Sequence, residues 1–192
     1  GTITDNNLRE LVANRALFPC CFGSGLKLQG IDRLLDILDV YAPMPHYGQD
    51  FGAKVYKISR DPQGNRLTWL KVTGGKLQVR DSVTYQDSKG KEITEKILQL
   101  RIYSGEKFTA PEAVYPGQLV AVTGLSATFA GQGLGGEADA LAPMLEPVMT
   151  FQMELPSDCD ARVFLPKLRQ IEEEDPLLHV LWSESHQQIH VK

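Results

Sequence analysis

The sequence predicts a mainly β protein whose middle part folds as a small antiparallel β-barrel. Short stretches of alternating polar and apolar residues, separated by glycine and proline, fill the middle of the chain, as is typical of such barrels. A strand–turn–helix pattern of the α/β type precedes the barrel, and a strand–helix–strand–strand pattern follows it. We therefore divide the chain into residues 1–46, a barrel at 47–143 and a partial α+β domain at 144–192.

The first part is predicted to contain two helices and one buried strand. Residues 3–12 favour a short helix with Asp5 or Asn6 as its cap. Residues 16–22 form an apolar run typical of a buried strand, and a glycine-rich turn follows. A second helix is predicted over residues 30–40, because apolar residues recur there at i, i+3, i+4 and i+7. These apolar residues are Ile31, Leu34, Leu35 and Leu38.

In the second part, five strands are predicted from alternation, with breaks rich in glycine, proline, lysine or aspartate between them. The strands are residues 53–58, 67–72, 77–83, 92–103 and 118–122. The breaks are residues 61–64, 74–75, 89–90 and 116–117.

The third part reads as half of a ferredoxin-like β-α-β-β-α-β unit. A strand is predicted at 148–154, a helix at 160–174 and a hairpin from strands 178–182 and 188–191. Ser157 or Asp158 is expected to cap the helix, with its inward face formed by Val163, Leu168 and Ile171. A complete unit needs another helix and strand. We therefore expect the chain to be an excised piece of a longer protein, with Gly1 as a cloning remnant.

Composition excludes several classes of protein. The 192 residues are 42% hydrophobic and 23% charged, which argues against disorder, and the apolar runs are too short to span a membrane. Three cysteines form no disulfide framework and suit a reducing cytosol.

The net charge of −4 is unevenly distributed, since residues 50–101 carry 11 lysines and arginines against 6 acids. A basic middle segment indicates a local anionic partner, or simply a solvated sheet face.

No constellation in the sequence predicts catalysis or a metal site. The chain has no G-x-x-x-x-G-K-[ST] phosphate loop. Residues 131–136 match G-x-G-x-x-G, but no helix pattern follows, so we interpret them as a flexible inter-domain loop. His186 and His190 are expected at a strand edge, the acids of residues 172–175 at a solvated helix end, and the thiols of Cys20 and Cys21 in an inert apolar run.

The order of the three parts resembles the translational GTPases. Residues 19–45 are similar to the end of their GTP-binding domain, from Pro-Cys-Cys-Phe-Gly-Ser-Gly-Leu to Tyr-Ala-Pro-Met-Pro. Residues 51–118 resemble their second domain, with the motif Gly-Gly-Lys-Leu at residues 74–77 and the motif Tyr-Pro-Gly-Gln at residues 115–118. Residues 172–178 are similar to an acidic motif of the third domain that contains Asp-Pro. Within the family, the chain resembles elongation factor G and, more closely, the tetracycline-resistance ribosomal protection proteins, on residues 77–83 and 175–178.

The resemblance implies a nucleotide contact and a ribosome contact. It implies that the turn of Gly23, Ser24 and Gly25 contacts the guanine base of GTP, with glycine in place of the family's usual alanine. GTP and Mg²⁺ would belong to the parent protein, and no cofactor is expected for this chain alone. The barrel of the family docks on small-subunit ribosomal RNA, for which phosphate contacts need lysine and arginine. The candidate residues are Arg66, Lys71, Arg80, Lys89, Lys91 and Arg101.

The resulting expectation is a cytoplasmic, monomeric piece of a ribosome-binding translational GTPase that lacks GTPase activity by itself. The loop at 133–136 departs from the family's Gly-Asp-Thr, so its contacts are not transferred. Two alternatives stay open. One is a stand-alone barrel that binds RNA or protein, and the other is a small metal- or thiol-dependent enzyme.

Overall fold

The structure, a computed structural model, describes residues 4–140, 147–156 and 159–192. The chain divides into two units, Gly1–His46 and Tyr47–Lys192. The helices are α1 (Asp5–Ala13), α2 (Ile31–Tyr41) and α3 (Ala161–Glu174). The strands are β1 (Gly52–Arg60), β2 (Arg66–Gly74), β3 (Leu77–Gln78), β4 (Ser82–Gln86), β5 (Glu92–Lys96), β6 (Gln99–Ser104), β7 (Lys107–Thr109), β8 (Ala113–Val114), β9 (Leu119–Thr123), β10 (Gly133–Gly135), β11 (Phe151–Met153), β12 (Val180–Ser183) and β13 (Gln188–Val191). No helix within the described ranges is long and apolar enough to cross a bilayer.

Both helices predicted in the first unit are present, but the cap of α1 differs. Thr4 is the N-cap, and the prediction of Asp5 or Asn6 was wrong. The Thr4 hydroxyl accepts a hydrogen bond from the Asn7 backbone N–H, while the Asn7 side chain accepts one from the Thr4 N–H. This reciprocal box satisfies two N–H groups at once. α2 follows Gly30, whose φ of 74° suits glycine.

The buried strand predicted at residues 16–22 does not form. Phe18 is 74% exposed and Phe22 97% exposed, and the segment has no regular structure. A strand needs a neighbouring strand to satisfy its N–H and C=O groups. Among residues 4–46, the one bridge joins Ser24 to Gln29, so the apolar run has no neighbour to pair with.

The barrel is built on a six-stranded antiparallel sheet in the order β10-β1-β2-β9-β6-β7. Two short two-stranded sheets, β3–β8 and β4–β5, complete it. A bulge in β1 between Val55 and Lys57 interrupts the pairing with β2. Because of the bulge, Tyr56 and Lys57 are both exposed although they are neighbours in sequence.

The core lies inside this barrel and draws on the large sheet and on the short sheets. Fifteen buried residues form one cluster. Val55 and Leu70 are fully buried on the large sheet, and Leu77 and Val114 contribute from the β3–β8 pair. Burial of each such side chain contributes about 1.5–3 kcal/mol to the stability of the fold. The apolar positions of the alternating pattern therefore stabilise the barrel.

Two of the predicted strands are each divided into two. The stretch 77–83 is interrupted at Arg80, whose φ is 75°, and continues as β4. The stretch 92–103 is interrupted at Ile97 and Leu98, where Ile97 is fully buried and donates its N–H to Asp81. Both breaks let the chain turn a corner of the barrel.

The third part of the chain packs α3 on the sheet β11-β13-β12. The helix begins after Asp160, which is the N-cap and accepts from the Arg162 N–H. The caps predicted at Ser157 or Asp158 lie outside the described residues, as does the predicted boundary at 143/144. Of the predicted inward face, Leu168 is buried, whereas Val163 and Ile171 are 66% and 52% exposed. Phe164 and Leu165 take their place against the sheet.

Candidate nucleic-acid interface

The turn of Gly23, Ser24 and Gly25 lies at the surface of the first unit. The Ser24 N–H donates to the Gln29 carbonyl at 2.9 Å, and the Gln29 N–H donates back at 3.1 Å. The Ser24 hydroxyl accepts from the Lys27 N–H at 3.3 Å. A side chain at Gly23 would meet the Gln29 carbonyl at 2.6 Å, whereas the space around Gly25 is open. A ligand can therefore approach the backbone at Gly25.

The β4–β5 hairpin presents two of the candidate cations on a hydrogen-bonded turn. The Asp87 carboxylate accepts the backbone N–H groups of Lys89 at 2.8 Å and of Lys91 at 2.9 Å. These contacts, that of Lys91 first, hold the pKa of Asp87 below its usual value. Both lysines are exposed, so the turn fixes their backbone while their ammonium groups reach solvent.

Arg80 occupies the corner between β3 and β4 in a left-handed conformation. Its N–H donates to the Ile97 carbonyl at 2.8 Å, and the Asp81 carboxylate accepts from the Gln78 N–H at 2.7 Å. Such a backbone costs a non-glycine residue roughly 1–2 kcal/mol. The Arg80 side chain is exposed, so its guanidinium group is accessible to solvent. Lys71 is also exposed, on the outer face of β2.

The Arg66 side chain is mostly buried and donates its hydrogen bonds to groups of the protein itself. Its side chain is only 13% exposed and donates to the Thr128 hydroxyl, to the Leu125 carbonyl and to the Glu173 carboxylate. The Leu125 and Thr128 contacts are 2.9 and 3.0 Å long. With its donors used internally, Arg66 is not available as the phosphate contact that the sequence suggested.

Arg101 is held in the same way. It donates to the Asp61 carboxylate at 2.9 Å and to the Gln99 side chain at 2.6 Å, and its guanidinium lies 4.7 Å from the centre of the Phe108 ring. Its hydrogen bond to Tyr103 first, and then that to Asp61, raise the pKa of Arg101 further above its usual value. Lys71, Arg80, Lys89 and Lys91, the other four candidate cations, are exposed and make no ion pair with any residue of the described ranges.

Sequence reasoning missed a row of aromatic side chains on the outer face of the large sheet. Tyr56, Trp69, Tyr103 and Phe108 follow one another from β1 to β7, with ring centres 5.0 to 6.4 Å apart. The signal was the alternation of Trp69 with Lys71 and of Arg101 with Tyr103 in two strands. The sequence did not predict that these rings form one row, because β2 and β6 are far apart in the sequence and are brought close by β9, which lies between them in the sheet.

The acidic helix end of the third part is exposed at Glu173, Glu174 and Asp175, as predicted, but two of its carboxylates also make specific contacts. Glu173 accepts from Arg60 at 3.0 Å and from Arg66 at 3.1 Å. Glu172 accepts from Arg169 at 2.6 Å and from the Val180 N–H at 2.8 Å. The sequence did not predict the pairing of Glu173, because its partners Arg60 and Arg66 are 113 and 107 residues away.

The glycine-rich stretch is a strand and not a flexible loop. Gly133–Gly135 forms β10 and pairs with Gly52, Ala53 and Lys54 of β1. Gly135 has a φ of 63°, and a side chain there would collide with the Phe51 carbonyl. The glycines therefore permit a close approach of two backbones, and they cradle no phosphate.

His186 lies in the exposed turn of the β12–β13 hairpin, but the predicted strand edge was wrong for His190, which is half-buried in the central strand of its sheet. His190 is in β13, and the His186 ring contacts the Ser183 and Ser185 hydroxyls at 3.1 and 2.9 Å. The thiols of Cys20 and Cys21 are not in a buried run, since Cys20 is exposed and Cys21 is half-buried.

Comparison with known proteins identifies the barrel. Residues 50–135 match the family model described as Elongation factor G domain 2. A crystal structure of a protein from Thermus thermophilus superposes on 97% of this chain with a TM-score of 0.71 at 22% identity. At that identity the likeness shows the fold alone, and the chain spans 29% of that protein's length. The predicted mainly β fold class is confirmed, and residues 50–135 form a barrel that matches the elongation factor G domain 2 family.

Proposed function

We propose that the chain is part of a ribosome-binding translational GTPase and that its barrel docks on small-subunit ribosomal RNA. The match of residues 50–135 to Elongation factor G domain 2 is the observation that carries the proposal. The proposal includes a cytoplasmic location and a monomeric state.

The exposed cations of the barrel would supply the contact with RNA. Lys89 and Lys91 lie together on the turn of one hairpin, Arg80 lies in the corner between β3 and β4, and Lys71 lies on β2. Lysine and arginine bind phosphates without reading bases, so the affinity would be independent of sequence and would fall as salt rises. Arg66 and Arg101 would support this surface from within the fold.

We propose GTP and Mg²⁺ as the cofactors of the parent protein. The open backbone at Gly25 fits a base edge, whereas the 192 residues contain no phosphate loop. The turn at residues 23–25 would therefore contribute one side of a guanine site, with the phosphates held elsewhere in the parent. We assign no hydrolytic step to this chain.

We further propose that the parent is a ribosomal protection protein that releases tetracycline, because residues 77–83 and 175–178 resemble that class. An elongation factor that drives translocation is the second candidate. The sequence of the native gene on both sides decides between them, and also tests the stand-alone barrel. A phosphate loop and an Asn-Lys-x-Asp motif upstream support the GTPase, and an open reading frame without them overturns it.

The docking itself is tested by co-sedimentation of the chain with purified small ribosomal subunits over a series of salt concentrations. We expect weak binding at low salt that declines linearly on a log–log plot. Replacing Lys89 and Lys91 together by alanine should reduce the slope by about 1 for each phosphate that the variant no longer binds.

The matched control replaces two exposed lysines outside the barrel, Lys167 on α3 and Lys192 at the end of the chain. This variant carries the same reduction in formal charge, so a general charge effect would weaken both variants equally. Equal weakening, or binding that salt does not change, would contradict docking through the barrel.

A further inference from the structure

We propose that the outer face of the large sheet is a stacking surface for unpaired RNA bases, formed by Tyr56, Trp69, Tyr103 and Phe108. These four residues form the aromatic row. The inference rests on the proposed ribosome-binding function and adds to it the class of nucleotide recognised and the place where it binds.

The row is continuous across five adjacent strands. Tyr56 lies on β1, Trp69 on β2, Tyr103 on β6 and Phe108 on β7. The intervening strand β9 places Ala121 opposite Trp69, and its small side chain lets the Trp69 and Tyr103 rings meet at 5.0 Å. At about 4.8 Å per strand, the row spans about 19 Å. Sheet platforms of this kind stack two or three bases on their aromatic side chains.

The rings are held in place by polar contacts at the sheet. The Trp69 indole N–H donates to the Ser59 hydroxyl at 2.8 Å. Arg101, fixed by the buried Asp61, lies over the Phe108 ring and contacts the Tyr103 hydroxyl. The two ends of the row, Tyr56 and Phe108, are each 44% exposed. Rings that are already positioned lose little conformational freedom when a ligand stacks on them.

The charge beside the row favours a nucleic acid over an apolar partner. Lys57 lies 6.0 Å from the centre of the Trp69 ring, and Lys71 is exposed two residues beyond Trp69 on β2. Arg101, which contacts the row, forms an ion pair with the Asp61 carboxylate, so the negative charge of Asp61 is balanced by this arginine. Aromatic faces beside cations are the combination that single-stranded nucleic acids recognise, with rings under the bases and cations at the phosphates.

Unpaired nucleotides fit this surface better than a duplex does. In a double helix the base faces are covered by their neighbours, and protein contacts are made to the backbone and the groove edges. An open sheet face carries rings that can stack only on bases free of such neighbours. The row therefore complements the four exposed cations, which need only phosphates.

The test uses the full chain with Trp182→Phe, which leaves Trp69 as the one tryptophan of the two in the sequence. The probes are a uridine octamer and an RNA duplex of the same length. We expect the octamer to quench the Trp69 fluorescence and to bind more tightly than the duplex. Tyr56→Leu and Phe108→Leu keep apolar bulk and remove a ring, and each should weaken octamer binding about 5- to 30-fold.

The matched control is Tyr115→Leu, because Tyr115 is 57% exposed and lies outside the row. It should leave octamer binding unchanged. Equal binding of octamer and duplex, or equal binding by the control and row variants, would overturn the inference. Loss of self-association or of protein binding in the row variants, with octamer binding unaltered, would identify a protein interface and also overturn it.

The two proposals fail separately in this design. Salt-dependent binding to small subunits that persists while the octamer fails to bind removes the stacking surface and leaves the docking proposal standing. Octamer binding sensitive to Tyr56→Leu and Phe108→Leu, without any binding to small subunits, supports the stacking surface and refutes the docking.

Discussion

Asp61 joins the β1–β2 turn to the distant strand β6. Its carboxylate accepts from the Gln63 and Asn65 N–H groups at 3.1 and 2.8 Å, and from Arg101 at 2.9 Å. The Asn65 side-chain hydrogen bond first, with Arg101 and the backbone contacts, lowers the pKa of Asp61 to about 2, although burial acts in the opposite direction. One residue thereby fixes the turn and holds Arg101 against the Phe108 ring of the aromatic row.

This geometry predicts a pH dependence of stability. Because the folded pKa of Asp61 lies below the unfolded value of about 3.9, the ionised carboxylate stabilises the fold above pH 4. That contribution is lost as the pH falls towards 2. Asp61→Asn should therefore have a lower free energy of unfolding than the wild type at pH 7, and the difference should narrow between pH 4 and 2. Urea unfolding at a series of pH values measures it, and a constant difference would contradict the role of the charge.

At the scale of elements, α3 is attached to the barrel by a carboxylate that opposes the helix dipole. Negative charge near a helix C-terminus is unfavourable, and Glu173 is the penultimate residue of α3. Arg60 and Arg66 at the ends of β1 and β2 offset this by converging on one Glu173 oxygen. The contact therefore stabilises the helix end as well as its position on the barrel.

Removing this contact should have a modest and specific effect. Glu173 is 41% exposed on its side chain, so solvent screening limits the value of the ion pairs. We expect Glu173→Ala to lower the free energy of unfolding by about 0.5–1 kcal/mol, and Glu174→Ala, an exposed neighbour, to change it by less than about 0.5 kcal/mol. Urea unfolding at low and high salt measures both. The Glu173 effect should shrink at high salt, and an equal effect of the two variants would show that the arginine contacts do not contribute.

The elements that sequence alone could locate are those whose pattern is local. Alternation found β1, β2 and β9, and the i, i+3, i+4, i+7 pattern found α2, because each period repeats within one element. The corner at Arg80 was missed because its left-handed backbone is set by bonds to Ile97. β10 was missed because a strand of Gly-Leu-Gly has no alternation of polarity.

The candidate site was predictable to a smaller extent than the fold. Exposure of Lys89 and Lys91 followed from a turn dense in lysine and glycine. The internal roles of Arg66 and Arg101 depend on Glu173 and Asp61, which are 107 and 40 residues away. Periodicity carries no information on such distant pairs, so a basic segment does not separate cations that fold the barrel from cations that face a partner.

At the scale of the whole molecule, the two units differ sharply in how much apolar surface they bury. The barrel contains a cluster of fifteen buried residues, whereas α1 and α2 contain no buried residue. In α2, Leu34, Leu35 and Leu38 are 41 to 57% exposed. Local opening free energies follow buried contacts and protected hydrogen bonds, so the first unit should open far more readily than the barrel.

Hydrogen–deuterium exchange read by mass spectrometry tests this difference on the intact chain. Peptides from β1, β2 and β9 should exchange slowest, because these strands are central in the large sheet and carry the buried cluster. Peptides from α1 and α2 should exchange within the fastest phase, since helices of nine and eleven residues are marginal without a packed face. Urea at concentrations below the barrel's transition should erase the remaining protection of Gly1–His46 and leave that of β1 and β2 unchanged. Exchange of both units in a single cooperative step would instead mean that the helices draw stability from the barrel core, which contradicts the burial of their residues.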